Sequence, residues 1–152
     1  MNQMNPVNSQ AHSEHNSFSY RPIPFYDNMQ QENANFSKKL DLNLYCIKRP
    51  QQTCFIRVTD PNMLAWGIEQ GDMLVVEKSN ALSMNDLLVL EIEGKMEIYE
   101  FIAHDNNEFV FFPLSAKGSK IKTSDWSALP IVGTVTSTIH QLRPRSDIKF
   151  AA

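Results

Sequence analysis

The chain is 152 residues long, 42% apolar and 20% charged, the proportions of one ordinary soluble domain. A formal charge of −3 and an isoelectric point near 5.8 exclude a sequence-blind nucleic-acid binder, which needs clustered Lys and Arg to displace counterions from phosphates. No apolar run approaches the ~18 residues of a bilayer span, and the Asn/Gln-rich start lacks the basic-then-apolar order of a secretory signal, so a cytoplasmic protein without membrane contact is expected.

Residues 1–39 are crowded with Asn, Gln and Ser, show no apolar period, and read as a flexible arm. Within it Phe18, Tyr20, Ile23, Phe25 and Tyr26 surround Pro22 and Pro24, which is either an extended segment that docks along a sheet or groove or a tail with incidental aromatics. His12 and His15 have the spacing of two metal ligands but no neighbours to complete a site, so no metal or other cofactor is expected. Cys46 and Cys54 form no Cys-x-x-Cys pair and read as small packing residues.

From residue 40 onward short β-patterned segments alternate with turn residues, which predicts a mostly β domain. Thr53–Thr59 alternates, with Cys54, Ile56 and Val58 on one face. Met73–Glu77 and Leu87–Ile92 are continuously apolar, as strands covered on both faces would be. Glu93-Gly94 predicts a hairpin between Leu87–Ile92 and Lys95–Phe101, and Asp105-Asn106-Asn107 a second turn before Glu108–Phe112. Pro130–Ser137 gives a closing strand, and 144–152 a tail. The basic residues Lys117, Lys120, Lys122, Arg143, Arg145 and Lys149 read as solvated loop and tail charges rather than a phosphate track.

The string TCFIRVTDPNMLAWGIEQGDMLVVE, from Thr53 to Glu77, runs strand, residue-plus-Met, short turn, Ile-x-x-Gly-Asp, apolar strand. Met63, Ile68, Gly71 and Asp72 match in order and spacing the LexA/UmuD family of self-cleaving peptidases, which this chain resembles over about residues 40–143. Gly94–Phe101 resembles the family's lysine-bearing hairpin, Phe112-Pro113-Leu114 a later strand end and Val132-Gly133-Thr134-Val135 the closing strand; Leu40-Asp41-Leu42-Asn43 resembles the start of the UmuD core in particular. The resemblance implies curved antiparallel sheets.

The departures fall on the chemistry. The family cleaves with a Ser/Lys dyad, in which a buried Lys loses its charge and serves as base for the Ser hydroxyl. Asn62 stands before Met63 where that Ser is implied, and Tyr99 stands five residues after Gly94 where the Lys is implied; Asp60-Pro61 replaces the preceding Gly-Asp. A carboxamide is no nucleophile, and a phenol is a poor base at neutral pH. No glycine precedes Gly67, so the Ala-Gly or Cys-Gly bond the family cuts in its arm is missing too.

A pseudo-protease is therefore expected, with no catalytic residues and a former cleft formed by Asp60, Pro61, Asn62, Met63, Trp66 and Tyr99. Asn62 also reads as a cap or turn residue before a helical segment Met63–Trp66. Tyr99 either fills the slot of a Lys stem, its hydroxyl toward Asn62, or is an exposed strand aromatic. Trp66 is a core or groove-wall residue or a peptide anchor, and Trp126 reads as packing rather than recognition. A residual enzyme would have to recruit Ser79, Ser83 or Lys78.

The resemblance implies a UmuD-like accessory subunit: a homodimer that joins a Y-family DNA polymerase catalytic subunit in SOS-induced, error-prone synthesis past lesions, with a RecA filament as a further partner. The first 40 residues show no pair of amphipathic helices joined by a turn, which disfavours a LexA-like repressor. The alternative is a regulatory pseudo-protease that pairs with or inhibits an active LexA/UmuD homologue, or holds another chain in its cleft. For the dimer, the arm and the final strand are expected to contribute through Ile131, Val132, Val135 and Ile139, on the premise that this strand is an unpaired edge.

Overall fold

The computed structural model describes Phe25 and residues 40–143. The expected arm (Phe25 apart), with His12 and His15, and the tail beyond 143 lie outside the described residues. The chain divides into two units, Met1–Tyr45 and Cys46–Ala152. At their boundary lies a short helix, α1 (Leu42–Cys46); Asp41 starts it by accepting the backbone N–H of Asn43 at 2.9 Å and of Leu44 at 3.4 Å.

The second unit is built on one seven-stranded antiparallel sheet: β1 (Thr53–Arg57), β2 (Met73–Glu77), β3 (Leu87–Ile92), β4 (Lys95–Asp105), β5 (Glu108–Pro113), β6 (Ile121–Thr123) and β7 (Ile131–Ile139). Their order across the sheet is β1-β2-β7-β3-β4-β5-β6. Both expected hairpin turns form. Glu93 and Gly94 take φ of 52° and 77°, Asn106 and Asn107 take 51° and 63°, and two successive left-handed residues give the twist that antiparallel strands need.

The apolar runs of β2 and β3 are explained by a core on each face of the sheet. Leu87 and Val89 join Leu74, Val76, Ile98 and Leu114 in a first cluster, which the connection after β1 closes over with Val58, Met63 and Ile68. Leu88 and Leu90 point the other way, into a second cluster with Tyr99, Phe101 and Phe111. Trp126 opens a single 3-10 turn, Trp126–Ala128, and packs against that second cluster, as a packing residue should. Each such side chain withdrawn fully from water contributes about 1.5–3 kcal/mol. Register shifts at Val75/Val76, Val89/Leu90 and Phe101/Ala103 insert bulges that bend the strands and let one sheet wrap two cores.

Four expectations are corrected. β7 is no edge: it runs between β2 and β3, and β1 and β6 are the edges. Met63–Trp66 is no helix, because Met63 bridges to Ser115 and Leu64 N–H donates to Leu114 O at 2.8 Å, so the segment is extended and then turns at Trp66-Gly67. Asn62 therefore caps nothing. Cys54 is exposed and Cys46 half-buried, since Cys54 sits on the edge strand, where its face is only partly covered.

Candidate functional site: a cleft beside the first core

A cleft of about 660 Å³ opens between the end of β1 with the loop after it, the start of β4, and the segment after β5. Asp60, Pro61, Asn62 and Met63 line it together, as do Lys95, Glu97, Ser115 and Lys117.

The loop is held from both sides. Val58 N–H donates to Asp72 O at 2.8 Å and Gly71 N–H to Val58 O at 2.7 Å, which fixes where β1 leaves the sheet. Asp60 Oδ1 then accepts Asn62 N–H at 2.7 Å across Pro61, an Asx turn. Ala116 N–H donates to Asn62 O at 2.9 Å, so Asn62 is pinned to the segment that forms the opposite wall.

Asp60 is the electrostatic centre of this loop. The Ser115 hydroxyl, then the Asn62 N–H, hold its carboxyl below the usual carboxylate value against the effect of burial, with smaller help from the Asn62 amide and the Lys117 charge. The Ser115 hydroxyl also accepts Lys117 N–H at 3.2 Å. Ser115 was missed in the sequence: its hydroxyl lines the cleft with Asn62, but its partner is a carboxylate with a lowered pKa, a poor base at neutral pH. Only its place just after the Phe112-Pro113-Leu114 strand end could have signalled it.

Tyr99 and Trp66 do not line the cleft. The Tyr99 ring is 3% exposed within the second core, and its hydroxyl meets Glu97 Oε2 at 3.3 Å rather than Asn62. Burial, then the Glu97 charge, raise its pKa further above the phenol value, which makes it less able to lose a proton. Trp66 lies outside the core and the groove wall: it is 54% exposed, with φ 64° and its indole N–H donated to Glu100 Oε1 at 3.1 Å. Ser79 bonds locally with Ala81 and Ser83 N–H with Asp86; neither these serines nor Lys78 lines the cleft.

The four residues expected at a dimer interface are divided. Ile131 packs against the second core, Val132 and Val135 against the first, and Ile139 alone is an exposed large apolar side chain, at 43%. Among the described residues no three His, Cys, Asp or Glu side chains gather as a metal site, and no helix is long and apolar enough to cross a membrane.

The sheet, the loop carrying Asn62-Met63 and the cleft define a class. The Peptidase S24-like family profile matches residues 22–136. The chain belongs to this family, that of LexA and UmuD, and its homologues are UmuD-like. It is 31% identical to Protein ImpA of Escherichia coli over 122 residues, 80% of this chain and 77% of ImpA. It is also 57% identical over 106 residues to an uncharacterised protein of Haemophilus influenzae, 70% of this chain and 74% of that one. Protein MucA of Escherichia coli is 32% identical over 84 residues, 50% of this chain and 56% of MucA.

Proposed function

We propose that this chain is a non-catalytic UmuD-like accessory subunit, acting in SOS-induced error-prone DNA synthesis as a homodimer that binds a Y-family polymerase catalytic subunit. The observation that carries the reading is the pair at the dyad positions. Asn62 offers a carboxamide tied to Asp60, and Tyr99 offers a phenol sealed in the second core. Neither attacks a peptide bond nor takes a proton from a hydroxyl at neutral pH. The absence of glycine before Gly67 removes the family's scissile dipeptide as well, and one altered function accounts for all three losses.

The homodimer does not use β7 as an added edge, because that strand is paired on both sides. Among the described residues, the exposed Ile139 at its end and the edge strands β1 and β6 are surfaces open to it. The open cleft supports a second reading, in which the chain regulates an active homologue by holding part of it beside Asn62 and Lys117.

Co-purification separates the two. The tagged chain is expressed with a Y-family catalytic subunit and, separately, with an active UmuD-type homologue. A stable complex of two copies of this chain with the polymerase supports the accessory role. Preferential heterodimers with the homologue, and no polymerase complex, overturn it in favour of regulation.

A further inference from the structure

Away from the cleft, one face of the sheet carries large apolar side chains that no core explains. Glu100 and Phe112 are register partners on β4 and β5, two residues beyond Ile98 and Leu114, which dip into the first core. Where the first core ends, the described residues leave this face open. Trp66 lies over it, anchored by its indole N–H on Glu100 Oε1 at 3.1 Å, and Leu64 follows the strand end through its N–H bond to Leu114 O. Leu64, Trp66 and Phe112 are 68%, 54% and 46% exposed.

Trp66 is also held in a backbone conformation that bulky residues avoid, φ 64°, followed by Gly67 at 66°. A glycine would occupy that position without strain. A large aromatic kept there, half in water and fixed by a carboxylate, contributes little to folding and presents a rigid ring to a partner. Along the far side of the patch runs positive charge: Lys120 Nζ lies 6.0 Å from the Phe112 ring centroid, and Lys122 pairs with Val110 on the same face. The carboxylate at the centre, Glu100, is engaged with the indole.

We propose that Leu64, Trp66 and Phe112, flanked by Lys120 and Lys122, form a docking surface for a protein segment that presents an apolar side chain next to Asp or Glu. Pre-set aromatic anchors with a charged rim are what protein interfaces concentrate. A single-stranded nucleic acid fits less well, because Leu64 offers no plane for a base, a carboxylate occupies the centre and the chain carries −3. A second copy fits less well too, since twofold pairing of one patch brings its lysines toward their own images.

The test pans random 12-residue peptides displayed on phage against the full-length chain and measures synthetic copies of those enriched. Expected sequences join Leu, Phe or Trp to Asp or Glu and lose at least tenfold in affinity for Trp66→Gly and for the double variant Lys120→Glu, Lys122→Glu. Trp66→Gly melts at the same temperature or higher, so its loss of binding is not a loss of fold. The proposal is overturned if affinity is indifferent to these changes, or if Trp66→Gly lowers the melting temperature, which makes Trp66 structural. It is overturned equally if a (dT)20 oligonucleotide binds in a Trp66-dependent way, or if Trp66→Gly dissociates a homodimer in sedimentation.

Discussion

His140 Nδ1 and Asp72 Oδ1 stand 2.5 Å apart, joining the residue just after β7 to the residue just before β2 across 68 positions of sequence. Asp72 is 2% exposed and its other oxygen accepts Glu69 N–H at 2.9 Å; Glu69 Oε2 lies 3.8 Å from His140 Nε2. The Ile-x-x-Gly-Asp motif thus has a structural task. Its Asp is the buried peg that holds the turn before β2 to the closing strand.

This pair makes stability depend on pH in two directions. The Asp72 hydrogen bond, then its charge and that of Glu69, raise His140 above 6.5 despite some desolvation, so its contribution is complete below 6.5 and is lost as pH rises through the higher folded value. Burial alone would raise Asp72, but the Glu69 N–H and His140 outweigh it and hold it below 3.8, so its contribution is complete above 3.8 and is lost as pH falls through the lower folded value. His140→Gln should lower the melting temperature most at about pH 5.5, with the difference from the unaltered chain shrinking as pH rises above 6.5, read by thermal melts across that range.

Asp72→Ala removes the acceptor of both bonds and leaves the Glu69 N–H without its partner. A loss of about 1–3 kcal/mol is expected, measured as the shift of a urea transition. A loss no larger than that of His140→Gln would show that the Glu69 bond contributes nothing.

Gly133 lies where β7 passes close to β2: a Cβ there would meet Glu77 O and Val76 Cγ1, both at 2.8 Å. The backbone oxygen cannot step aside as a side-chain end can. Gly133→Ala should cost about 1–3 kcal/mol by overpacking, seen in the same urea transition.

Much of this fold was legible, and the reasons differ by element. The two hairpins were readable because adjacent apolar strands and Glu93-Gly94 or Asn106-Asn107 are local signals. The place of β7 was not, since sheet order depends on which distant strands meet, and nothing in Ile131–Ile139 says that both its sides are paired. The turn at Trp66 was hidden because tryptophan rarely adopts a left-handed backbone, and four apolar-rich residues, Met63–Trp66, fit a helical turn as well as an extended one. In the cleft, Asp60–Met63 could be found by motif, whereas Ser115, Lys117 and Lys95 arrive from segments 30 or more residues away. The direction of Tyr99 was settled by packing against Phe101 and Phe111, which no spacing rule reports.

Tyr99 separates packing from residual chemistry. Tyr99→Phe loses only the bond to Glu97 and should cost about 0.5–1.5 kcal/mol, while Tyr99→Ala empties part of the second core and should cost about 3–5 kcal/mol. Denaturation curves of the two variants give both values. Asn62→Ser alone should leave the chain uncut, because Tyr99, at the lysine position, is buried in the second core and the adjacent Asp60 carboxyl is held below its usual pKa, a poor base at neutral pH; intact mass after prolonged incubation checks it.

As a non-catalytic member of a self-cleaving family, this chain is expected not to cleave itself. Intact mass of the chain recovered from cells after DNA damage tests it most directly, with undamaged cells alongside. One species of 17.4 kDa is expected under both conditions. A shorter species that appears with damage and has lost part of residues 1–39 would contradict it.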